Sequence, residues 1–464
     1  MILRTLLCLV LIRSVACGAT YYVDNRAGSD DNDGKTQETA LATIARAVAL
    51  SKTSDTIILT NTGIAYNEPI LLVRRGGTPQ KPFTIEGNGA VLSGLKTLAP
   101  ENWKKTGDDL YFFPLSQTPY GQPYLADGGK KLVKGSASDA LIAEQFYWDR
   151  EAGISFKCAP GKTPASYDLG ATLLTSGFAT ASASYIVCRN LVCEYFANDG
   201  FNMHGDCRGI YLENVVARYN GDDGISIHET GGLVVRGAHV HHNTFGLQDV
   251  NAARSFYNGV LAEHNHIGAS FHGGFYSLVD CHLRDNAAYQ IDIVAASPNH
   301  LIGSDKNPIC RTTLFAGNVI VSGKDSHASL RIGDGAQAVV EHSVFAGAKT
   351  GILVQKGGSC HLTTSVIVDC EFALASDSAE VFRDYNVYHP AQMKWLGVDY
   401  GPDQWTAFRG LALHDEHSRS GPVNVAADGT VSFPDGSPAR EIEKPVGPTA
   451  PVTFGAEVRA PERK

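Results

Sequence analysis

The chain has 464 residues with 48 Gly, 9% aromatic and 19% charged side chains, the composition of a folded, turn-rich β protein rather than a disordered one. Its 39 basic residues against 48 acidic give a net charge of −9, a field that argues against nucleic acid as a partner. Beyond the leader described next, no run approaches the roughly 20 apolar residues of a membrane span.

Residues 1–19 read as a secretory signal peptide: Arg4, an apolar run from Leu6 to Ile12, then small residues up to Ala19. Cleavage after Ala19 competes with lipid attachment at Cys17, and ordinary cleavage is favoured because Ser14 stands where a lipoprotein signal has Leu. The mature protein is therefore expected to be secreted, periplasmic or held at the cell surface. Eight cysteines remain (158, 188, 193, 207, 281, 310, 360 and 370), none in a CxxC pair, so a structural zinc site has no support and buried free thiols are expected.

Residues 20–99 read as an N-terminal cap and first coils. Thr20-Tyr21-Tyr22-Val23-Asp24 reads as a strand, Gly28 to Gly34 as a polar turn, Ala42 to Val48 as a short helix and Asp55-Thr56-Ile57-Ile58-Leu59 as a second strand. This opening resembles that of exported β-helix proteins, among them pectate lyases, alginate lyases and related glycosidases, and the resemblance implies a helix capping the open end of a solenoid. Residues 100–174 break the pattern. Trp103, Tyr111-Phe112-Phe113 and Phe146-Tyr147-Trp148 point to a β-rich insertion on the solenoid flank.

From residue 175 to 394 the chain repeats itself. Asn198-Asp199-Gly200-Phe201, Asn220-Gly221-Asp222-Asp223-Gly224-Ile225, Asn243-Thr244-Phe245-Gly246-Leu247 and Asn265-His266-Ile267-Gly268-Ala269 place their glycines 24, 22 and 22 residues apart. The rhythm continues at Asn286 to Ile293 and, after an irregular stretch, around Ser329 to Ile332, Gly351 to Val354 and Phe372 to Leu374. This period, with two or three strands per repeat, predicts an all-β, right-handed parallel β-helix whose coils stack about 4.8 Å apart. Asn is expected at the turn for its tolerance of left-handed backbone, and Gly for positive φ. Residues 395–464 read as a C-terminal cap and tail, and Ser432 to Ala439 resembles the closing tail of the same superfamily. A monomer is expected.

Setting the four glycines in register puts Asn202, Ser226, Gln248 and Ser270 in one outward column, with Asp292 next and Arg331 continuing it if the irregular stretch loops out. Two residues on stand His204, His228, Val250 and His272. Nine of the 16 histidines fall between positions 204 and 282, a concentration that favours chemistry over solvated decoration. With Glu229, Asp249 and Asp292 they suggest a polar groove for a polysaccharide or oligosaccharide: His204, His228, His272, Asp292, Glu229 and Arg331 as catalytic candidates, and Asn202, Gln248, Asp249 and Ser270 as binding residues. Asp199, Asp222 and Asp223 converge at one turn and suit calcium, although Asn-Asp-Gly and Asp-Asp-Gly are good turn sequences in their own right.

These motifs resemble the calcium-site motifs of family 9 pectate lyases and the Asn-Thr-Asp and Gly-Asp-Asp motifs of polygalacturonase-type glycoside hydrolases. The lyase pattern calls for another Asp where Ser226 stands and a Lys base near Ser270, and the hydrolase pattern calls for Gly-His-Gly where Phe245-Gly246-Leu247 occurs. Two chemistries stay open. In β-elimination, His228 or His272 would act with Arg331. In hydrolysis, Asp222 or Asp223 would pair with Asp292 or Glu229. A non-catalytic carbohydrate-binding or adhesion solenoid is the alternative from another class.

Overall fold

The computed structural model describes residues 18–295, 312–412 and 414–450. Most of the leader-like segment, Cys17, Cys310 and the tail beyond 450 lie outside them. The chain is half strand and winds into a parallel β-solenoid of about nine turns, so the expected fold is the one observed. Each coil contributes to three sheets in turn. In the first sheet, Ile70–Val73, Phe178–Ala181, Phe201–His204, Asp223–Ile227, Tyr289–Val294, Ala328–Ile332, Thr350–Val354 and Phe372–Ser376 stack with the leading parts of Phe245–Glu263 and Ile267–Val279. Phe245–Glu263 is long enough to continue through the second and third sheets without interruption.

Alternation sends every second residue inward. Phe201, Ile225, Leu247, Ala269 and Ile291 form one buried column of the first sheet, and Met203, Ile227, Asp249, Phe271 and Ile293 another. The core they build runs from Tyr21 to Phe408. The helix Ile44–Leu50 closes one end: Thr43 caps it by accepting from the Arg46 N–H at 3.1 Å, and Ile44 and Ala47 are buried against the first strands. At the other end the helix Trp405–Ala412 sets Trp405 and Phe408 against Tyr388, Trp395 and Tyr400. All seven described cysteines are buried free thiols.

The turn chemistry differs from expectation in an instructive way. Asn220, Asn243, Asn265 and Asn286 are not left-handed. The side-chain carbonyls of Asn243, Asn265 and Asn286 each accept from the backbone and side-chain N–H groups of the Asn one rung below, at 2.9–3.1 Å, and that of Asn220 accepts from the Phe196 N–H at 3.1 Å, forming a buried ladder along the corner before the first sheet. The left-handed residue is the one before: Tyr219, His242, His264 and Asp285 have φ between 53 and 58°. Tyr195 starts the same column, and ring contacts of Tyr195 with Tyr219, Tyr219 with His242, and His242 with His264 (4.8–5.3 Å between centroids) offset part of the cost of that backbone.

The repeat glycines are not at positive φ either. A Cβ on Gly224, Gly246 or Gly268 would lie 2.4–2.5 Å from the carbonyl oxygen of the next rung, so close approach of stacked backbones is what excludes a side chain.

The insertion forms a flank module. It begins at Leu95–Thr97, which pairs with Leu169–Thr172 in a four-stranded sheet, and includes a five-stranded sheet built on Gln145–Asp149 and Gly153–Lys157. Its own core holds Trp103, Phe146, Trp148, Ile154 and Phe156 and docks on Tyr195 and Tyr219 of the solenoid. The solenoid resumes at Phe178–Ala181, in parallel register with Ile70–Val73, so the insertion lengthens one coil without breaking the stack.

Candidate functional site

The strand register puts Asn202, Ser226, Gln248, Ser270, Asp292 and Arg331 in one outward column of the first sheet, with residues 296–311 between its last two rungs. Ala179 precedes this polar run and Leu353 follows it. The polar run is therefore six consecutive rungs long, and the next polar member of the column, Lys394, stands beyond Leu353 and Ala375. Asn202, Ser226, Ser270 and Asp292 form a recessed floor almost without solvent contact, while Gln248 and Arg331 are partly exposed.

The histidines border this floor. Ser226 Oγ lies 3.0 Å from His228 Nε2, and Ser270 Oγ 3.2 Å from His272 Nε2, two copies of one Ser-x-His arrangement. His204 and His228 stack with centroids 4.1 Å apart. Val250 separates His228 from His272. Glu229 stands beside His204, with its Oε1 3.6 Å from His204 Nδ1 and its Oε2 accepting from the Gly205 N–H at 2.6 Å.

At the opposite edge of the sheet, where its strands begin, Asp199, Asp222 and Asp223 each bring one carboxylate oxygen within 4.8 Å of the others. The corner that aligns consecutive coils brings them together. Asp199 accepts from the Asp223 N–H at 3.1 Å and from the Asn202 amide, and Asp222 accepts from Gln122 Nε2 of the flank module at 3.3 Å. Two oxygens are buried here without a donor, Oδ1 of Asp223 and Oδ1 of Asn202. Burial pushes Asp199 and Asp223 well above the usual carboxylate range, and neighbouring carboxylate charge adds to the rise. Burial also raises Asp222. Three converging carboxylates with orphaned buried oxygens form a donor set for a hard cation.

At the far end of the column Asp292 and Arg331 form a two-bond ion pair, 2.7 and 2.5 Å, with the guanidinium 4.7 Å above the Tyr289 ring. Tyr289 occupies the strand-start column of Asp223, Phe245 and Ile267. It was legible from register, unlike Gln122, which arrives from the insertion and has no periodic signal.

Two expectations need correction. Asp249 is not a groove residue: it faces the solenoid interior, fully buried, and accepts from the Tyr257 hydroxyl at 2.8 and 2.9 Å. The hydrolase pairs are not assembled. Asp292 sits three rungs from Asp223, roughly 14 Å by strand spacing, beyond the roughly 5–9.5 Å that separates glycosidase carboxyl groups, and Glu229 is at the other edge of the sheet.

No protein-family model matches the sequence, and no curated protein matches it. Among solved structures, the complex of XylC with xylose aligns with a TM-score of 0.52 at 12% identity, over 81% of this chain and 69% of that one. A glycoside hydrolase (TM-score 0.44, 10% identity, 81% and 94% covered) and the pectate lyase Pel9A (0.42, 12%, 83% and 80%) are also similar. At these identities the likeness is one of fold: the chain is a parallel β-helix.

Proposed function

We propose that this chain is a polysaccharide lyase whose uronate-containing substrate lies along the outward column of the first sheet. One observation carries the reading: an unbroken run of polar side chains over six rungs, bounded by Ala179 and Leu353, with an ion-paired Arg331 at one end and the carboxylate trio near the other. The exported β-helix resemblance, and neighbours that include a pectate lyase and a glycoside hydrolase, agree with a carbohydrate substrate. Export, to which the leader-like segment 1–19 points, would place the protein where such glycans occur.

Elimination is favoured over hydrolysis by the carboxylates themselves. Among the described residues, the close carboxylate set buries Asp199 and Asp223, leaving Asp222 as the one member with appreciable solvent contact, which is poor access for an acid and a base flanking a glycosidic bond. His272 and the Asp292–Arg331 pair, by contrast, stand on neighbouring rungs, with His272 and Asp292 two residues out of register and roughly 8 Å apart at the backbone.

In this reading Arg331, oriented by Asp292, binds the uronate carboxylate and steadies the charge that develops as its α proton leaves. His272, oriented by Ser270, accepts that proton. Asp199, Asp222, Asp223 and the Asn202 carbonyl would hold a calcium ion, whose chemistry is to neutralise and anchor an acidic sugar. Lying several rungs and most of a strand length from His272, this corner serves binding more than proton transfer.

A panel of uronate glycans, assayed for ultraviolet-absorbing unsaturated ends and for reducing ends, tests the proposal. Unsaturated product is expected. His272→Ala should lower kcat by about 10² to 10⁴, and Asp223→Asn should raise KM with much less effect on kcat. Reducing ends without unsaturation would show hydrolysis, and binding without turnover would show a carbohydrate-binding solenoid.

A further inference from the structure

The histidine edge of the first sheet holds a second cluster that the reaction above does not use. We propose that His204, His228 and Glu229 form a binding site for a divalent transition-metal ion of zinc's kind, distinct from the aspartate corner. One ligating atom from each residue lies within 4.8 Å of the other two. The ligands come from two adjacent rungs, His204 from the end of one strand and His228 and Glu229 from just past the end of the next. The backbone that links those rungs, through the His228 N–H donating to the Met203 carbonyl at 3.0 Å, fixes their spacing before any ion arrives.

The surrounding bonds orient the donors. The Gly205 N–H takes Glu229 Oε2, which turns Oε1 toward His204, and the Ser226 hydroxyl engages His228 Nε2, the kind of outer contact that sets a ligating imidazole's orientation.

Donor chemistry selects the ion. Two imidazoles and one carboxylate suit zinc and its neighbours, whereas calcium takes oxygen ligands and belongs at Asp199, Asp222 and Asp223. Three protein ligands leave a coordination position for water or a sugar oxygen, and His204, about half exposed, gives the ion a way in. On this assignment His228 is a metal ligand, and His272 alone of the histidine column handles the proton.

Calorimetric titration of the full chain with zinc chloride tests the site. Wild type and Asp222→Asn should each take up one tight equivalent, which His204→Ala and Glu229→Gln should both lose. These changes fall on partly exposed side chains, and unchanged melting curves would show that the fold survives. Visible absorption of the cobalt-loaded protein should vanish in the same two variants. The proposal is overturned if zinc does not bind, if the equivalent survives in His204→Ala and Glu229→Gln, or if it is lost only on replacing His241 and His242, whose Nδ1 atoms lie 2.8 Å apart on another sheet.

Discussion

Asp249 shows how far one residue can depart from the logic of its surroundings. It occupies an inward column between Ile227 and Phe271, and loss of water raises its carboxyl to about 7, even though the Tyr257 hydroxyl bonds it. The sign of the consequence follows from linkage. Below the ordinary carboxylate range the folded and unfolded states are both protonated. As pH rises, the unfolded chain releases its proton first, so the stability contributed by the protonated group is lost progressively and is gone above about 7. Asp249→Asn keeps an acceptor for Tyr257 and has no proton to lose. Its stability relative to wild type should therefore rise between pH 5 and pH 8.5, by up to roughly 2.7 kcal/mol, as read from urea midpoints at the two pH values. A difference between the two proteins that does not change with pH would refute the assignment. The burial of Asp249 was legible: if Gln248 points out, strand alternation turns the next residue in. The charge suggested exposure, and periodicity was the stronger signal. Gln122 illustrates the opposite limit, a site residue delivered by an irregular segment whose docking no local pattern encodes.

At the scale of the repeating coil, sequence period and register proved more legible than the reason for each repeated residue. Aligning the glycines predicts the outward column from Asn202 through Asp292, and even its continuation to Arg331, because stacked parallel strands must keep inward residues inward. Local propensity, however, misassigned the Asn and Gly positions, since it treats each turn alone. In a solenoid the nearest neighbour of a turn is the same turn one rung away. There Asn is a ladder of buried hydrogen bonds and Gly is clearance for a carbonyl. Gly246→Ala follows from this: its Cβ would meet the Gly268 oxygen at 2.4 Å, an overlap between backbones that no rotamer relieves. We expect a loss of more than about 2 kcal/mol in equilibrium unfolding. Gly323→Ala, where a Cβ meets nothing within 4 Å, should stay within about 0.5 kcal/mol. Equal effects at the two positions would mean that the rungs can part at little cost.

The whole molecule behaves as a rod with a marked interval. Coils are nearly equivalent mechanically, since each rung pairs mainly with the rungs next to it, so the fold itself sets no limit on how long a ligand might lie along it. The limit comes from side chains. Ala179 and Leu353 end the polar column, and between them Asn202 to Arg331 spans five rung spacings, about 24 Å. A flexible oligosaccharide loses conformational freedom with each sugar it lays down, so added sugars strengthen binding only while new polar partners compensate for that loss. Affinity for a homologous series of uronate oligosaccharides should therefore climb with length until the extended chain spans that interval, then level off. The plateau should come at shorter oligomers when Arg331→Ala removes one end of the interval, whereas Lys394→Ala, on the same column but beyond Leu353 and Ala375, should leave it unmoved. Calorimetry across the series reads both. Affinity that keeps rising past the predicted length, or that is insensitive to Arg331, would place the ligand on another face of the solenoid.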